Sequence, residues 1–145
     1  MKIIFLDIDG VLCLPPKWHK NEEAFSKQCC KNLTRIVKET GAKIVVSSSW
    51  RLHEDNWKLM LKILRKNKFD VKCIIGKTDI VRISSNRGQE IEAWLSNNFN
   101  IKSFVILDDE VFDMIHLSKN IVHCNPEVGL TEADADKAIQ ILNKS

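Results

Sequence analysis

Lys2-Ile3-Ile4-Phe5-Leu6-Asp7-Ile8-Asp9-Gly10-Val11 is the stretch that decides the fold. Residues 2–6 form a short, continuous apolar run, as expected of a strand buried on both faces. Asp7 to Gly10 end it with turn-forming residues. A strand hidden on both faces belongs in a parallel sheet covered by helices, so the rest of the chain should alternate strands with helices.

It does. Residues 22–40 read as a helix: Phe25, Cys29, Leu33, Ile36 and Val37 share one face, acids sit at its start, and Gly41 follows its end. Residues 43–46 are a second buried strand, closed by three serines. A helix at 55–66 carries Trp57, Leu61 and Leu64 on one stripe. Residues 71–75 read as a third strand, ended by Gly76. A helix at 88–97 carries Ile91, Trp94 and Leu95. Residues 103–107 are a fourth strand running into Asp108 and Asp109. A short helix at 111–117 and a fifth strand at 120–124 follow. In the helix at 131–143, Thr131 and Asp134 resemble a capping box. Residues 11–21, with Pro15 next to Pro16, are irregular.

The 145 residues fit one domain, 1–145, with a hydrophobic core. Hydrophobic residues at 44% and charged residues at 28% exclude a disordered or membrane-embedded chain. A net charge of +3 and a pI near 8.6 permit a polyanionic partner without demanding one. The five cysteines include an adjacent pair, Cys29 and Cys30, and no C-x-x-C, which points to reduced thiols and a cytoplasmic location. The apolar start is cut short by Asp7 and Asp9, so neither a signal peptide nor a membrane span is expected.

Ligands of such sheets bind beyond the carboxyl ends of the strands. Three strands end there in polar clusters: Asp7-Ile8-Asp9-Gly10, Ser47-Ser48-Ser49-Trp50-Arg51, and Asp108-Asp109-Glu110. Alone, each is an ordinary turn, loop or helix cap. Together they bring four carboxylates and a hydroxyl toward one space. Carboxylates that close repel one another, and a divalent cation is the natural remedy. All-oxygen ligands select a hard ion such as Mg2+. His123 and Cys124 lack a second pair at zinc spacing. His19 and His53 read as loop or surface residues.

Phe5-Leu6-Asp7-Ile8-Asp9-Gly10-Val11 resembles the first motif of the haloacid dehalogenase (HAD) superfamily. Val45-Val46-Ser47 resembles the second and Ile106-Leu107-Asp108-Asp109 the fourth. The third is a cation near a helix start. Arg87 is the best candidate, with Lys77 and Arg82 as alternatives. More narrowly, Ser47-Ser48-Ser49-Trp50-Arg51, Arg87-Gly88-x-Glu90-Ile91, Asp108-Asp109 with Asp113, and Gly129-Leu130-Thr131 resemble the small HAD-like domains grouped with RNA repair proteins.

The resemblance implies a Rossmann-like three-layer α/β sandwich around a parallel sheet of about five strands. It implies a phosphoric monoester hydrolase in which Asp7 is the nucleophile, Asp9 the acid and base, and Ser47 and Arg87 the groups that hold the phosphoryl oxygens. Mg2+ would be held by the carboxylates of Asp7 and Asp108 and the main-chain carbonyl of Asp9. Asp109 would orient metal-bound water or Arg87 from behind. Asp113 would support the metal shell or only sit on its short helix. Ser48, Trp50 and Arg51 are candidate substrate contacts, since an indole stacks on a base and a guanidinium forks onto phosphate. For Trp50 and Arg51 the alternative is packing under the loop and pairing with a nearby acid.

No segment has room for a large cap domain, so the site should be open to a large phosphorylated substrate such as an RNA or DNA end. A small-molecule or nucleotide phosphatase and a catalytically idle binding module are the competing readings. A phospho-accepting receiver fits less well, because its acid pair follows the first strand and its phosphorylated Asp the third.

Overall fold

The computed structural model describes residues 1–16, 21–82 and 85–144. His19 lies outside them. Five strands form one parallel sheet: β1 (Lys2–Leu6), β2 (Lys43–Val46), β3 (Ile74–Lys77), β4 (Ser103–Asp108) and β5 (Ile121–His123), in the order β3-β2-β1-β4-β5. The order reverses direction between β1 and β4. That switch point is where ligands of open α/β sheets bind. In the β1–β4 register Leu6 sits beside Leu107, so Asp7 and Asp108 leave the sheet next to one another.

Alternation along each strand feeds two cores. Ile4, Leu6, Ile44, Val46, Val105, Leu107 and Val122 face one layer. It is built from α1 (Lys27–Thr40), α2 (Glu54–Lys66) and α4 (Glu132–Asn143), which contribute Leu33, Ile36, Met60, Ile63, Ala135 and Ala138. Ile3, Phe5, Val45, Ile106 and Ile121 face the other. There they meet Ile91 and Trp94 of α3 (Arg87–Ser96) and Met114 of a 3-10 segment, Phe112–Asn120. Phe5 meets Trp94 and Phe104 edge-on at 5.5 and 5.9 Å, the preferred aromatic geometry. The three-layer sandwich is as expected. Among the described residues no folded unit is inserted between the strands beyond these helices and turns. No helix among them is long and apolar enough to cross a membrane.

Several boundaries differ from the reading of the sequence. The first helix begins at Lys27 rather than residue 22, because Ser26 caps it by accepting from the Cys29 amide. The preceding residues pair instead with the loop after β1: Phe25 bridges Cys13, and the Ser26 amide donates to the Leu12 carbonyl. Glu22 and Glu23 are therefore not first-turn acids. They form exposed ion pairs with Lys62 and Lys66 of α2, contacts of small energetic weight.

The third strand starts three residues later than expected. Asp70 accepts from the Lys72 amide and closes a 3-10 turn over Val71–Cys73. Gly76 lies inside β3 rather than beyond it, opposite Val45 after a register shift that skips Ile75. The segment expected as a helix at 111–117 is 3-10 and kinked at Met114. The capping box at Thr131 and Asp134 is present, with both reciprocal hydrogen bonds.

Phe5 is fully buried, whereas Phe99 is 84% exposed. Phe5→Ala is expected to cost about 3–5 kcal/mol of stability, and Phe99→Ala to stay within about 0.5 kcal/mol of the wild type. Urea denaturation of the two variants is the check.

Candidate active site

The site begins where β1 and β4 end. The Asp7 amide donates to the Leu107 carbonyl at 3.0 Å, which extends the parallel ladder one residue past the strand. Asp7 is 4% exposed and Asp108 fully buried, with the half-buried Asp109 beside them. One carboxylate oxygen from each of Asp7, Asp108 and Asp109 lies within 4.8 Å of the others. Among the described residues one cation reaches this cluster: Nη1 of Arg87 stands 2.8 Å from Asp108 Oδ2 and 3.4 Å from Asp7 Oδ1.

Arg87 is held for this task. It is the first residue of α3, and its amide donates to Asp113 Oδ2 at 3.2 Å, so a carboxylate sits at the positive end of the helix. Asp113 thus supports the cation through its main chain. Gly88 lets the 3-10 segment approach closely, since a Cβ there would stand 2.7 Å from the Asp113 carbonyl oxygen. Of the other candidate cations, Lys77 donates to the Arg51 carbonyl and lies over the Trp57 ring at 4.9 Å. Arg82 is exposed.

Among the described residues three acids face one guanidinium, which leaves negative charge uncompensated. Burial, the largest cause, pushes the Asp7 carboxyl well above its ordinary range; Asp108 adds to the rise and Arg87 opposes it. Asp109 is raised by burial too, and its carboxyl is close enough to Asp7 for a hydrogen bond between them. Burial lowers the Arg87 guanidinium, but Asp7 and Asp108 together outweigh it and raise it overall. A cluster of oxygen ligands with too little positive charge fits a hard divalent cation.

Asp109 belongs to that cluster itself, closer in than the sequence suggested. Gly10, at φ +82°, makes room for it: a Cβ there would stand 2.4 Å from Asp109 Oδ2. The sequence marked Gly10 as a turn residue within the first motif, but not the space it leaves for Asp109. His123, at the end of β5, donates from Nε2 to the Asp109 carbonyl at 3.0 Å. Among the described residues neither it nor Cys124 joins a metal-ligand cluster.

Asp9 stands apart. Its half-buried carboxylate accepts from Nε1 of Trp50 at 3.0 Å. Ser47, at the end of β2, donates its amide to the Leu6 carbonyl, while its hydroxyl is buried without a hydrogen-bond partner among the described residues. An unpartnered buried hydroxyl costs about 1–3 kcal/mol, so Ser47 Oγ is a group waiting for an acceptor or donor.

The remaining substrate contacts suggested by the sequence need correcting. Trp50 is fully buried, with its ring against Phe25 at 5.3 Å, so no base stacks on it. Ser48 is buried and its hydroxyl accepts from the Trp50 amide. Arg51 is only 6% exposed and its fork is turned inward. Nε donates to the Thr78 carbonyl, Nη1 to the carbonyls of Ser47 and Ser48, and Nη2 to Glu90 of α3 at 3.0 Å. Burial lowers the Arg51 guanidinium, with Glu90 acting against the fall. Glu90 stood in the Arg87-Gly88-x-Glu90-Ile91 pattern, but nothing in that pattern pointed to Arg51 as its partner.

Arg51 therefore ties the ends of β2 and β3 to α3. Lysine keeps the charge but not the fork. Arg51→Lys is expected to cost about 3 kcal/mol or more by leaving Glu90 and three carbonyls short of donors; the shift of the denaturation midpoint measures it.

No curated protein and no solved structure matches the chain. A family model described as the HAD domain in Swiss Army Knife RNA repair proteins matches residues 3–135, which takes in every element from β1 into the first turn of α4. The chain belongs to that HAD family.

Proposed function

We propose that residues 1–145 act as one HAD-like hydrolase domain, a Mg2+-dependent phosphohydrolase that works through an aspartyl-phosphate on Asp7. The observation that carries this reading is the buried meeting of Asp7, Asp108 and Asp109 around Arg87 at the switch point of the sheet. So much like charge is kept in a protein interior at a cost to stability, and such a cost is characteristic of active sites.

Asp7 attacks phosphorus and the bond to the leaving oxygen breaks. Asp9 gives that oxygen a proton. Asp9 then takes a proton from the water that cleaves the aspartyl-phosphate and frees Asp7. One carboxyl serves both steps because the first leaves it in the form that the second needs. Ser47 Oγ donates to a phosphoryl oxygen, which supplies the partner it lacks. Arg87 neutralises charge spread over those oxygens. Mg2+, held by the carboxylates of Asp7 and Asp108, with Asp109 close by, and by the Asp9 carbonyl, would offset the repulsion between an anionic nucleophile and an anionic substrate.

Phosphorylated RNA or DNA ends are the proposed substrates. The family description names RNA repair, and among the described residues nothing is inserted that would close over the site. All five cysteines are buried, which suits a reducing compartment such as the cytoplasm.

With Mg2+, the protein is expected to release phosphate from end-phosphorylated oligonucleotides faster than from nucleotides or sugar phosphates. Asp7→Asn should reduce release to background, and Asp9→Asn should lower it about 10²–10⁴-fold. Faster turnover of mononucleotides would identify a small-molecule phosphatase. No turnover together with no Mg2+ binding would identify an idle module.

The raised carboxyl of Asp7 also fixes a sign. A carboxyl raised in the folded state favours folding when protonated, and that advantage is lost as pH rises through its folded value. In chelator at neutral pH, Asp7→Asn is expected to raise Tm and to flatten the rise in stability seen on mild acidification. The same variant should lose most of the Tm gain that Mg2+ gives the wild type.

A further inference from the structure

The second aspartate of the first motif owes its setting to a residue 41 positions away. Trp50 Nε1 donates to Asp9 Oδ1 at 3.0 Å. The donor is immobile. Trp50 is 0% exposed, its ring packs against Phe25 at an interplanar angle of 66°, and its amide is fixed on Ser48 Oγ. The next residue, Arg51, is anchored by four hydrogen bonds. The acceptor's main chain is held separately: Asp9 bridges Cys13, and the Gly10 amide donates to the Cys13 carbonyl.

An indole N–H donates and never accepts. The oxygen it faces acts as the acceptor, and because a carbonyl oxygen accepts better than a hydroxyl oxygen, a proton on Asp9 is favoured on the other oxygen. We propose that Trp50 is the positioning residue for Asp9, fixing the carboxyl so that Oδ2 alone exchanges protons with the reacting groups. This rests on the reading of Asp9 as the acid and base.

The step balances. As the bond from Asp7 to phosphorus forms and the bond to the leaving oxygen breaks, the Oδ2 proton passes to that oxygen. When water attacks phosphorus, the bond to Asp7 breaks and a water proton returns to Oδ2. The indole keeps its proton throughout. A carboxyl that could turn would present its proton in the wrong place for part of the time. Trp50 would thus contribute to the rate without touching substrate, a role unlike the base stacking suggested by the sequence.

The test compares two leaving groups in the full chain with Mg2+. p-Nitrophenolate departs without a proton, whereas the alkoxide of an end-phosphorylated oligonucleotide needs one. kcat/KM covers only the steps up to release of the leaving group, so the later hydrolysis does not mask the effect. Trp50→Phe keeps an aromatic ring in the core and removes the N–H. It is expected to lower kcat/KM for the oligonucleotide end about 10- to 100-fold, and for p-nitrophenyl phosphate less than about 3-fold. Equal losses on both, or no loss on either, would overturn the role of Trp50 while leaving the phosphohydrolase standing. A wild type inactive on both esters would overturn that reading and this one together.

If Trp50→Phe does not fold, the hydrogen bond is read from its other end. The indole N–H resonance of Trp50, assigned through its contact with Phe25, should move upfield in Asp9→Asn while those of Trp57 and Trp94 stay in place. A resonance that does not move sinks the proposal.

Discussion

Parallel pairing of β1 with β4 is the constraint on which the rest of the molecule depends. Leu6 and Leu107 stand side by side, and one residue later the register delivers Asp7 and Asp108 to the same point. Ile3, Ile4, Phe5 and Leu6 are fully buried, as are Val105, Ile106 and Leu107. A slip of one residue would turn every one of those side chains to the opposite face. Hydrophobic burial therefore fixes a juxtaposition that electrostatics alone would push apart. The two cores supply the energy, and the two aspartates draw on it. Gly10 and Gly88 extend the same logic. Each lacks a side chain where another segment must come close, Asp109 in one case and the 3-10 segment in the other.

A second level of constraint comes from polar side chains that never reach solvent. Arg51 satisfies three carbonyls and Glu90 at once, so the loop after β2 is fixed to β3 and to α3. Buried polar networks of this kind stabilise little compared with an apolar replacement, but breaking one partner is costly. Their value is geometric. Here the network holds Ser47 at the end of its strand and Trp50 beside Asp9, while the same helix carries Arg87 at its first position. The cation beside Asp7 and the loop that carries the Ser47 hydroxyl thus share one brace.

Strand positions, sheet class and the acidic cluster were legible in the sequence because each rests on a local pattern with a physical period. An apolar run ending in Asp-x-Asp says both "buried strand" and "polar tip" within ten residues. The boundaries that moved depended on choices between local and distant partners. Ser26 competes as a cap with the acids at 22 and 23, and Lys62 and Lys66 draw those acids away. Asp70 offers its side chain to the main chain and turns what looked like strand into 3-10. Trp50 and Arg51 were the hardest. Their chemistry suits both a substrate and a core, and the choice turned on Asp9, Thr78 and Glu90, partners 27 to 41 positions away in sequence. The acid at 109 was visible, but not its depth, because the space for it is made by the missing side chain of Gly10.

The pairs that cross between segments explain why motifs that are weak alone become strong together. Asp9 binds Trp50, Arg87 binds Asp7 and Asp108, Arg51 binds Glu90, and Asp113 binds the amide of Arg87. Each links a loop at one strand end to an element from another part of the chain. No single segment could keep its polar residues in place, since each would lose its partner or its shelter from water. Cross-bracing of this kind is what preorganised charge requires, because dipoles and ions that must not relax around a substrate have to be held by something other than that substrate.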